Sequence, residues 1–344
     1  MHDYLPPPDC PLVSAVIPTR NRPALLACAV RSALRQTWKR IEVIVVVDGP
    51  DLGTETLLES LADPRLRVVS LPQSSGGSAA RNTGVRAARG EWIALLDDDD
   101  EWLPEKIAHQ MRAVQQSREW FPVISCRLIA QSPSGSRVLP QRLYHHPQPV
   151  ADYLFRRTGL LDSGGLMQTS TLLAPRDLLL AIPFREGLSL HQDWDWLISV
   201  AAHEGVAVSM VEKPLAIWRV EDTRDTVGRA ANWQASFAWI RELRPLVSPR
   251  AFSSFIAVQC AWRAKKSCAG WRDRLRLLRS FLFEGRPGLR SLVHFFVFAL
   301  LPSDLRHSLR RRWQRAFDRH SASAGLSLAA VPGPSTAMLR KSSS

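Results

Sequence analysis

A chain of 344 residues that is 45% hydrophobic can bury one large core or two, which excludes disorder over its whole length. Its formal charge of +13 sits at one end: residues 1–220 carry 23 Lys and Arg against 24 Asp and Glu, whereas residues 221–344 carry 22 against 8. The five cysteines are scattered and never form a C-x-x-C pair, so they indicate neither a disulfide framework nor a zinc site, and they fit a reducing compartment.

The opening residues, MHDYLPPPDCP, lack the basic start and apolar run of a signal peptide. Val13 to Pro18 is a short β-branched apolar run, and Ile41 to Val47 is another that ends at Asp48-Gly49, as buried strands of a parallel sheet read. Between them the spacing of Leu26, Val30, Ala33 and Leu34 predicts a helix, with Asn21 as its cap and Pro23 in its first turn. Alternation continues with a helix over 54–61, a strand over 66–71, a helix over 78–88 and a strand over 92–96, which argues for an α/β layer with a parallel sheet. Ligands of such sheets bind at the carboxyl ends of the strands, where Asp48 and Asp97 to Asp100 stand.

Lys106 to Gln115 reads as a helix with Ile107, Met111 and Val114 on one face. Residues 131–152, rich in turn formers, read as an irregular exposed excursion. Structure is expected to resume near Met167 and run to Val220. Three regions follow: 1–220 around the strand-end acids, a basic helical region over 221–318, and a disordered tail over 319–344. The longest apolar run, Leu292 to Pro302, is about half of the roughly 20 residues that a spanning helix needs.

Four consecutive carboxylates at the mouth of a buried strand repel one another unless something positive lies among them. A hard divalent cation, Mg2+ or Mn2+, meets that need with oxygen ligands shared between protein and phosphate. A solvated acidic turn that caps the next helix meets it equally well, with Asp100 as the cap.

Six segments in order settle what kind of chain this resembles: Val13-Ser-Ala-Val-Ile-Pro-Thr-Arg-Asn-Arg-Pro, Leu34-Arg-Gln-Thr-Trp, Glu42-Val-Ile-Val-Val-Val-Asp-Gly, Ala80-Arg-Asn-Thr-Gly, Gly90-Glu-Trp-Ile-Ala-Leu-Leu-Asp-Asp-Asp-Asp and Trp102-Leu-Pro-Glu-Lys. Together they resemble family 2 glycosyltransferases, and they imply an α/β fold of the GT-A type: a mostly parallel central sheet flanked by helices, here with a C-terminal helical extension. The resemblance implies that Pro18, Thr19 and Asn21 line the nucleotide pocket and that Asp48 accepts a hydrogen bond from the base. It further implies that Arg81 lies near the diphosphate, that Asp97 and Asp99 form the metal-binding D-x-D pair, and that Asp98 meets the ribose or sugar. Downstream, Gln192-Asp193-Trp194-Asp195 resembles the acidic stretch of the family, with Asp193 as catalytic base; Asp195 and His191 are read as structural. An Asp-Gly turn for Asp48, a surface ion pair for Arg81 and a helix-terminal carboxylate for Asp193 are the simpler roles these residues could have.

The expected activity is inverting transfer of a single sugar from a UDP-, GDP- or dTDP-linked donor to a hydroxyl of a saccharide or lipid-linked acceptor, in cell-surface polysaccharide or glycolipid synthesis. Asp193 would take the proton of the acceptor, and Mn2+ or Mg2+ would offset charge on the departing diphosphate. The Q-x-x-R-W motif of processive synthases is missing, since Leu309 precedes Arg312-Trp313 where a glutamine is required. Departures from the family pattern are Val47, Pro50 and Gln192, the last removing a charge beside Asp193. Arginines 272, 274, 276, 279, 310, 311, 312 and 315, interleaved with Trp271, Phe281, Phe283, Phe295, Phe296 and Trp313, suggest a cytoplasmic protein whose C-terminal helices meet an anionic membrane on its inner face. A solvated helical cap is the plainer reading, and no nucleic-acid motif accompanies the charge. A nucleotidyltransferase would need the same acids and metal but usually a glycine-rich basic loop, which Pro18-Thr19-Arg20-Asn21 is not; a non-catalytic nucleotide-sugar-binding module would have no use for Asp193.

Overall fold

In the computed structural model, strand β1 (Val13–Thr19) is buried at every residue but its sixth, and β2 (Ile41–Val47) at every residue. Residues 10–133, 135–157, 159, 164–220 and 232–300 are described by it. Burial of both faces explains why neither strand shows polar alternation. Alternate residues of β1 and β2 feed two cores: Val16, Ile44 and Val46 join one, and Ala15, Ile17, Val43 and Val45 the other.

Helix α1 (Pro23–Leu34) links the two strands, with Pro23 in its first turn. Its cap differs from expectation. Arg22 holds the capping position without a side-chain bond to the helix, while Asn21 lies in the left-handed region at φ 54 and donates its backbone N–H to Asp51 Oδ2 at 2.6 Å. A short polar residue tolerates that conformation, so Asn21 turns the chain instead of capping it. Asp51 in turn accepts from Thr54 N and caps α2 (Leu52–Leu61).

Strand β3 (Leu66–Ser70), helix α3 (Gly77–Ala87) and strand β4 (Trp92–Leu95) complete the alternating unit, in which β1 pairs in parallel with β2 and β4, and β2 with β3. Helix α3 lies on β1 at Gly84, where a Cβ would stand 2.4 Å from Val16 Cγ1; only glycine allows that approach. Beyond β4 the direction changes. The full order is β3-β2-β1-β4-β8-β6-β9-β5, with β8 (Leu173–Pro175) antiparallel to β4 and β6 (Phe121–Ser132), β9 (Val206–Arg219) parallel to β6, and β5 (Asp100–Trp102) antiparallel to β9. The sheet is thus parallel where the strand ends that matter meet.

Residues 131–152 are not the exposed excursion their turn formers suggest. Gly135–Leu139 forms strand β7, antiparallel to β6, and Tyr144, Val150 and Ala151 are buried, the last two in helix α5 (Val150–Phe155). The turn formers mark the bend of a hairpin, and Tyr144 packs edge-on against Tyr153 at 5.2 Å. Helices α4 (Lys106–Gln116), α6 (Arg176–Ala181) and α7 (Gln192–Val200) flank the sheet.

The basic region is helical where it is described: α8 (Trp233–Glu242), α9 (Pro249–Phe255), α10 (Ala261–Lys266), α11 (Trp271–Arg279) and α12 (Leu289–Leu300). Trp233, Phe237, Phe252 and Phe281 share a core with Val16 of β1, and Met1–Ala299 forms one compact unit. Among the described residues no helix is long and apolar enough to cross a membrane. Arg310, Arg311, Arg312, Trp313, Arg315 and the tail expected over 319–344 lie outside the described residues.

Candidate active site

Parallel pairing brings the ends of β1, β2 and β4 side by side, so Thr19, Asp48 and Asp97 come from three neighbouring strands. Asp48, buried, is bound by the loop that precedes α3: Ser74 Oγ donates to it at 2.9 Å, Ser75 N at 2.7 Å and Gly76 N at 3.0 Å. Arg20 donates to Ser74 Oγ at 2.7 Å, so a second residue of the β1 end holds the same loop.

The four aspartates diverge in environment. Asp98 is buried, with Thr19 Oγ1 donating to Oδ2 at 2.8 Å and Arg22 Nη1 to Oδ1 at 3.2 Å. Burial nevertheless pushes its pKa up to about 6, with Thr19 and Arg22 opposing the rise. Asp100 is not the cap of α4, whose capping position is Glu105. It opens β5 and is buried, accepting from Ser170 Oγ at 2.6 Å and Gln168 Nε2 at 3.0 Å, and burial drives its pKa well up. Asp97 and Asp99 keep 24% and 22% of their side-chain surface against 8% for Asp98.

Arg81 ties this cluster to the second acidic segment. Its Nη2 bonds Asp97 Oδ1 at 2.6 Å, its Nη1 donates to Gln192 Oε1 at 2.8 Å, and its buried guanidinium lies 5.7 Å from the Phe184 ring. Gly77 faces the same bridge, where a Cβ would lie 3.1 Å from both Arg81 Nη1 and Gln192 Oε1. Next to Gln192, in the first turn of α7, Asp193 accepts the Trp194 N–H at 2.9 Å. Burial raises its pKa to about 6; the Trp194 bond opposes this, the charge of Asp97 adds to it and that of Arg81 opposes it. The structure therefore brings together Asp97, Asp98, Asp99, Thr19, Arg81 and Asp193, with Asp48 at the neighbouring strand end.

Asp195 and His191 are taken up by packing and hydrogen-bond contacts. Trp239 Nε1 donates to Asp195 Oδ1 at 2.8 Å and Arg185 pairs with the same oxygen at 3.0 Å. His191 stacks on Trp194 at 5.1 Å and faces Ser236 Oγ at 2.9 Å, and burial pushes its pKa down to about 3.

Among the described residues no three acidic, His or Cys side chains converge as a cage for a metal. Asp97 and Asp99 offer two hard oxygen donors, partly open, at a strand end, and that donor set fits Mg2+ or Mn2+, which bind through one or two carboxylates and complete their shell with water and substrate phosphate. Reading the sequence missed Arg22, Gln168, Ser170 and the loop 74–76. A basic residue just past a strand end in Thr19-Arg-Asn-Arg is a signal for Arg22, but nothing in sequence marks Ser170, which meets the Asp97 N–H across 73 positions.

Residues 14–158 match the glycosyl transferase family 2 model. The amylovoran biosynthesis glycosyltransferase AmsB of Erwinia amylovora is 25% identical over 281 residues, 79% of this chain and 91% of that protein. The UDP-Glc:alpha-D-GlcNAc-diphosphoundecaprenol beta-1,3-glucosyltransferase WfaP of Escherichia coli is 33% identical over 110 residues, 32% of this chain and 44% of that protein. Among solved structures, the mannosyltransferase PcManGT of Pyrobaculum calidifontis, in complex with GDP-Man and Mn2+, aligns with a TM-score of 0.50 and 16% identity over 84% of each chain. With its motifs in order, its strand-end acids gathered and its fold of the GT-A type, the region 14–158 is that of a family 2 glycosyltransferase.

Proposed function

We propose that the chain transfers one sugar from a nucleotide-diphosphate sugar to an acceptor hydroxyl, with inversion, in polysaccharide synthesis at the cell surface. The observation that carries this reading is the Arg81 bridge, which links Asp97 of the aspartate cluster to Gln192, the residue before Asp193. Asp193 acts as general base: with its pKa near 6 it is mostly ionised at neutral pH, yet it holds a proton more firmly than an exposed carboxylate. A divalent cation held by Asp97 and Asp99 would offset charge on the departing nucleoside diphosphate. Arg81 supplies a fixed positive charge beside Asp97, where the diphosphate would lie, and Thr19 with Arg22 keeps Asp98 in place behind it. Base and leaving group on opposite sides of the anomeric carbon give a single displacement, hence inversion.

Asp48 is assigned to the nucleotide base, with Pro18, Thr19 and Asn21 around it; the loop 74–76 that binds its carboxylate would rearrange to admit a ligand N–H. The metal and donor classes draw support from the GDP-Man and Mn2+ of the mannosyltransferase PcManGT, and a lipid-linked acceptor from the name of WfaP. Residues 1–220 carry the site in this reading, and the basic region 221–318 docks on the inner face of the membrane. Exposed Trp271, Leu275, Phe283, Leu289 and Phe296 among Arg272, Arg274, Arg279 and Arg290 support that docking.

A panel of UDP-, GDP- and dTDP-sugars with Mn2+ tests the reading, by donor binding in calorimetry and by slow donor hydrolysis. Metal-dependent binding of one nucleotide class is expected; binding of none overturns the assignment, and binding indifferent to metal removes Asp97 and Asp99 as ligands.

A further inference from the structure

Behind the aspartate cluster lies a buried polar network that the proposed reaction leaves unused. Its centre is the single helical turn Thr169–Thr171, whose three residues are all at least nine-tenths buried. Three bonds from outside hold this turn, and a fourth ties Gln110 to β6. Trp102 Nε1 donates to Ser170 O at 2.8 Å, Gln110 Nε2 donates to Thr171 O at 2.7 Å and to Ile124 O at 2.8 Å, and Ser125 Oγ bonds Thr171 Oγ1 at 2.9 Å. Gln110 is itself fixed by Lys106 Nζ at 2.7 Å, and that ammonium sits 4.2 Å above the Trp102 ring.

The turn uses this anchorage in one direction. Ser170 Oγ accepts the Asp97 N–H at 3.1 Å and donates to Asp100 Oδ2 at 2.6 Å, so one hydroxyl spans the start and the end of the aspartate run. Gln168 Nε2 adds a second bond to the same Asp100 oxygen, and Asp100 N closes the run on Asp97 O at 3.2 Å. Asp97 has no side-chain support on the side away from Arg81 among these bonds; its backbone is held by Ser170. Where a carboxylate is to meet a metal and a diphosphate, the direction of its Cα–Cβ bond decides whether its oxygens reach the same point.

We infer that Ser170 is a positioning residue, and that the turn 168–171, braced by Trp102 and Gln110, sets where Asp97 and Asp99 present their carboxylates. The inference rests on those two residues being the donor-side acids proposed above. Ser170 touches neither substrate nor metal in this role; it acts through the Asp97 amide and the Asp100 carboxylate.

Two measurements on the full chain test it, one of them free of any ligand. In the ligand-free protein, Ser170→Ala removes the acceptor of the Asp97 N–H, so amide exchange in the peptide covering 96–101 is expected to speed up roughly 2–10-fold while exchange in β1 and β2 is unchanged. With Mn2+ as probe, in the presence of whichever donor the wild type binds, the same variant is expected to need about 10–100-fold more metal for half-saturation, the usual cost of losing a partner behind a ligand. Trp102→Phe removes the donor to Ser170 O while keeping an aromatic ring under Lys106, and should move both readouts the same way by less; it serves if Ser170→Ala fails to fold. Unchanged exchange overturns the inference. Faster exchange with unchanged metal dependence overturns the part that concerns the carboxylates. If the wild type binds neither donor nor metal while exchange responds as expected, the brace stands and the transferase reading is what fails.

Discussion

Asp193 holds its proton to a higher pH than an exposed aspartate because burial penalises its ionised form, and the charge of Asp97 adds to that penalty. The sign of the pH dependence follows, since the base works only when ionised. Initial transfer rates should be low near pH 5, rise through about pH 6 and level off above about pH 7, as half-ionisation at that pKa requires. Asp193→Asn should lower turnover by about 100–10,000-fold and leave donor binding in calorimetry within a factor of about two. Turnover near the wild-type value would remove Asp193 as the base. Asp193, Asp97 and Asp99 could be picked out as candidates because they stand in stretches that resemble motifs. Ser170 could not: a serine between two threonines says nothing until the fold lays it against a peptide N–H from another strand. Asp100 was misplaced for a related reason, as four like residues in a row give no sign of which one turns inward.

At the scale of elements, the strands and helices through α4 other than β5 were readable because of their apolar periodicity and the recognisable residues that end them, such as Gly49, which sits at φ +99 in the turn after β2. The β7 hairpin was not, since Gly135–Leu139 is short, half exposed and surrounded by residues that also build loops. Packing of α3 on β1 offers a sharp test of the alternating unit. Gly84→Ala forces a methyl into a space where Val16 Cγ1 and Val46 Cγ2 already lie 2.4 Å and 3.2 Å away, both on fully buried side chains. A loss of about 1–3 kcal/mol in urea unfolding is expected, as for other insertions into a filled core. Equal stability would mean that α3 can slide on the sheet, and with it Arg81, which rides on the same helix.

The chain as a whole is electrically lopsided, and its C-terminal helices keep large apolar side chains in contact with solvent: Trp271 is 70% exposed, Phe283 80% and Leu289 78%. Arg272 stacks on Trp271 at 5.5 Å, an arrangement suited to a headgroup layer. With attraction of about 1 kcal/mol per basic residue near an anionic surface, replacing Arg272, Arg274, Arg279 and Arg290 by alanine should weaken sedimentation with vesicles rich in phosphatidylglycerol by more than about a hundredfold. Vesicles of phosphatidylcholine alone should bind neither form. Equal binding of wild type and variant to anionic vesicles would transfer the attraction to residues beyond 300. The charge division was plain in sequence, but the placement of the basic helices was not, because the aromatic residues that bury them against the sheet are indistinguishable in sequence from those left outside.

Arg81 couples side chains 111 positions apart, holding Asp97 with one nitrogen and Gln192 with another. Gln192 is neutral, so the grip on that side is the weaker of the two. In the proposed reaction a diphosphate beside Asp97 would compete for the same guanidinium and loosen its hold on Gln192, the residue before Asp193. Turnover would thereby acquire an order, donor first and nucleotide last to leave. Product-inhibition kinetics would record it: the released nucleoside diphosphate should compete with the donor and act as a noncompetitive inhibitor against the acceptor, whereas competition with both would mean that the two substrates enter independently.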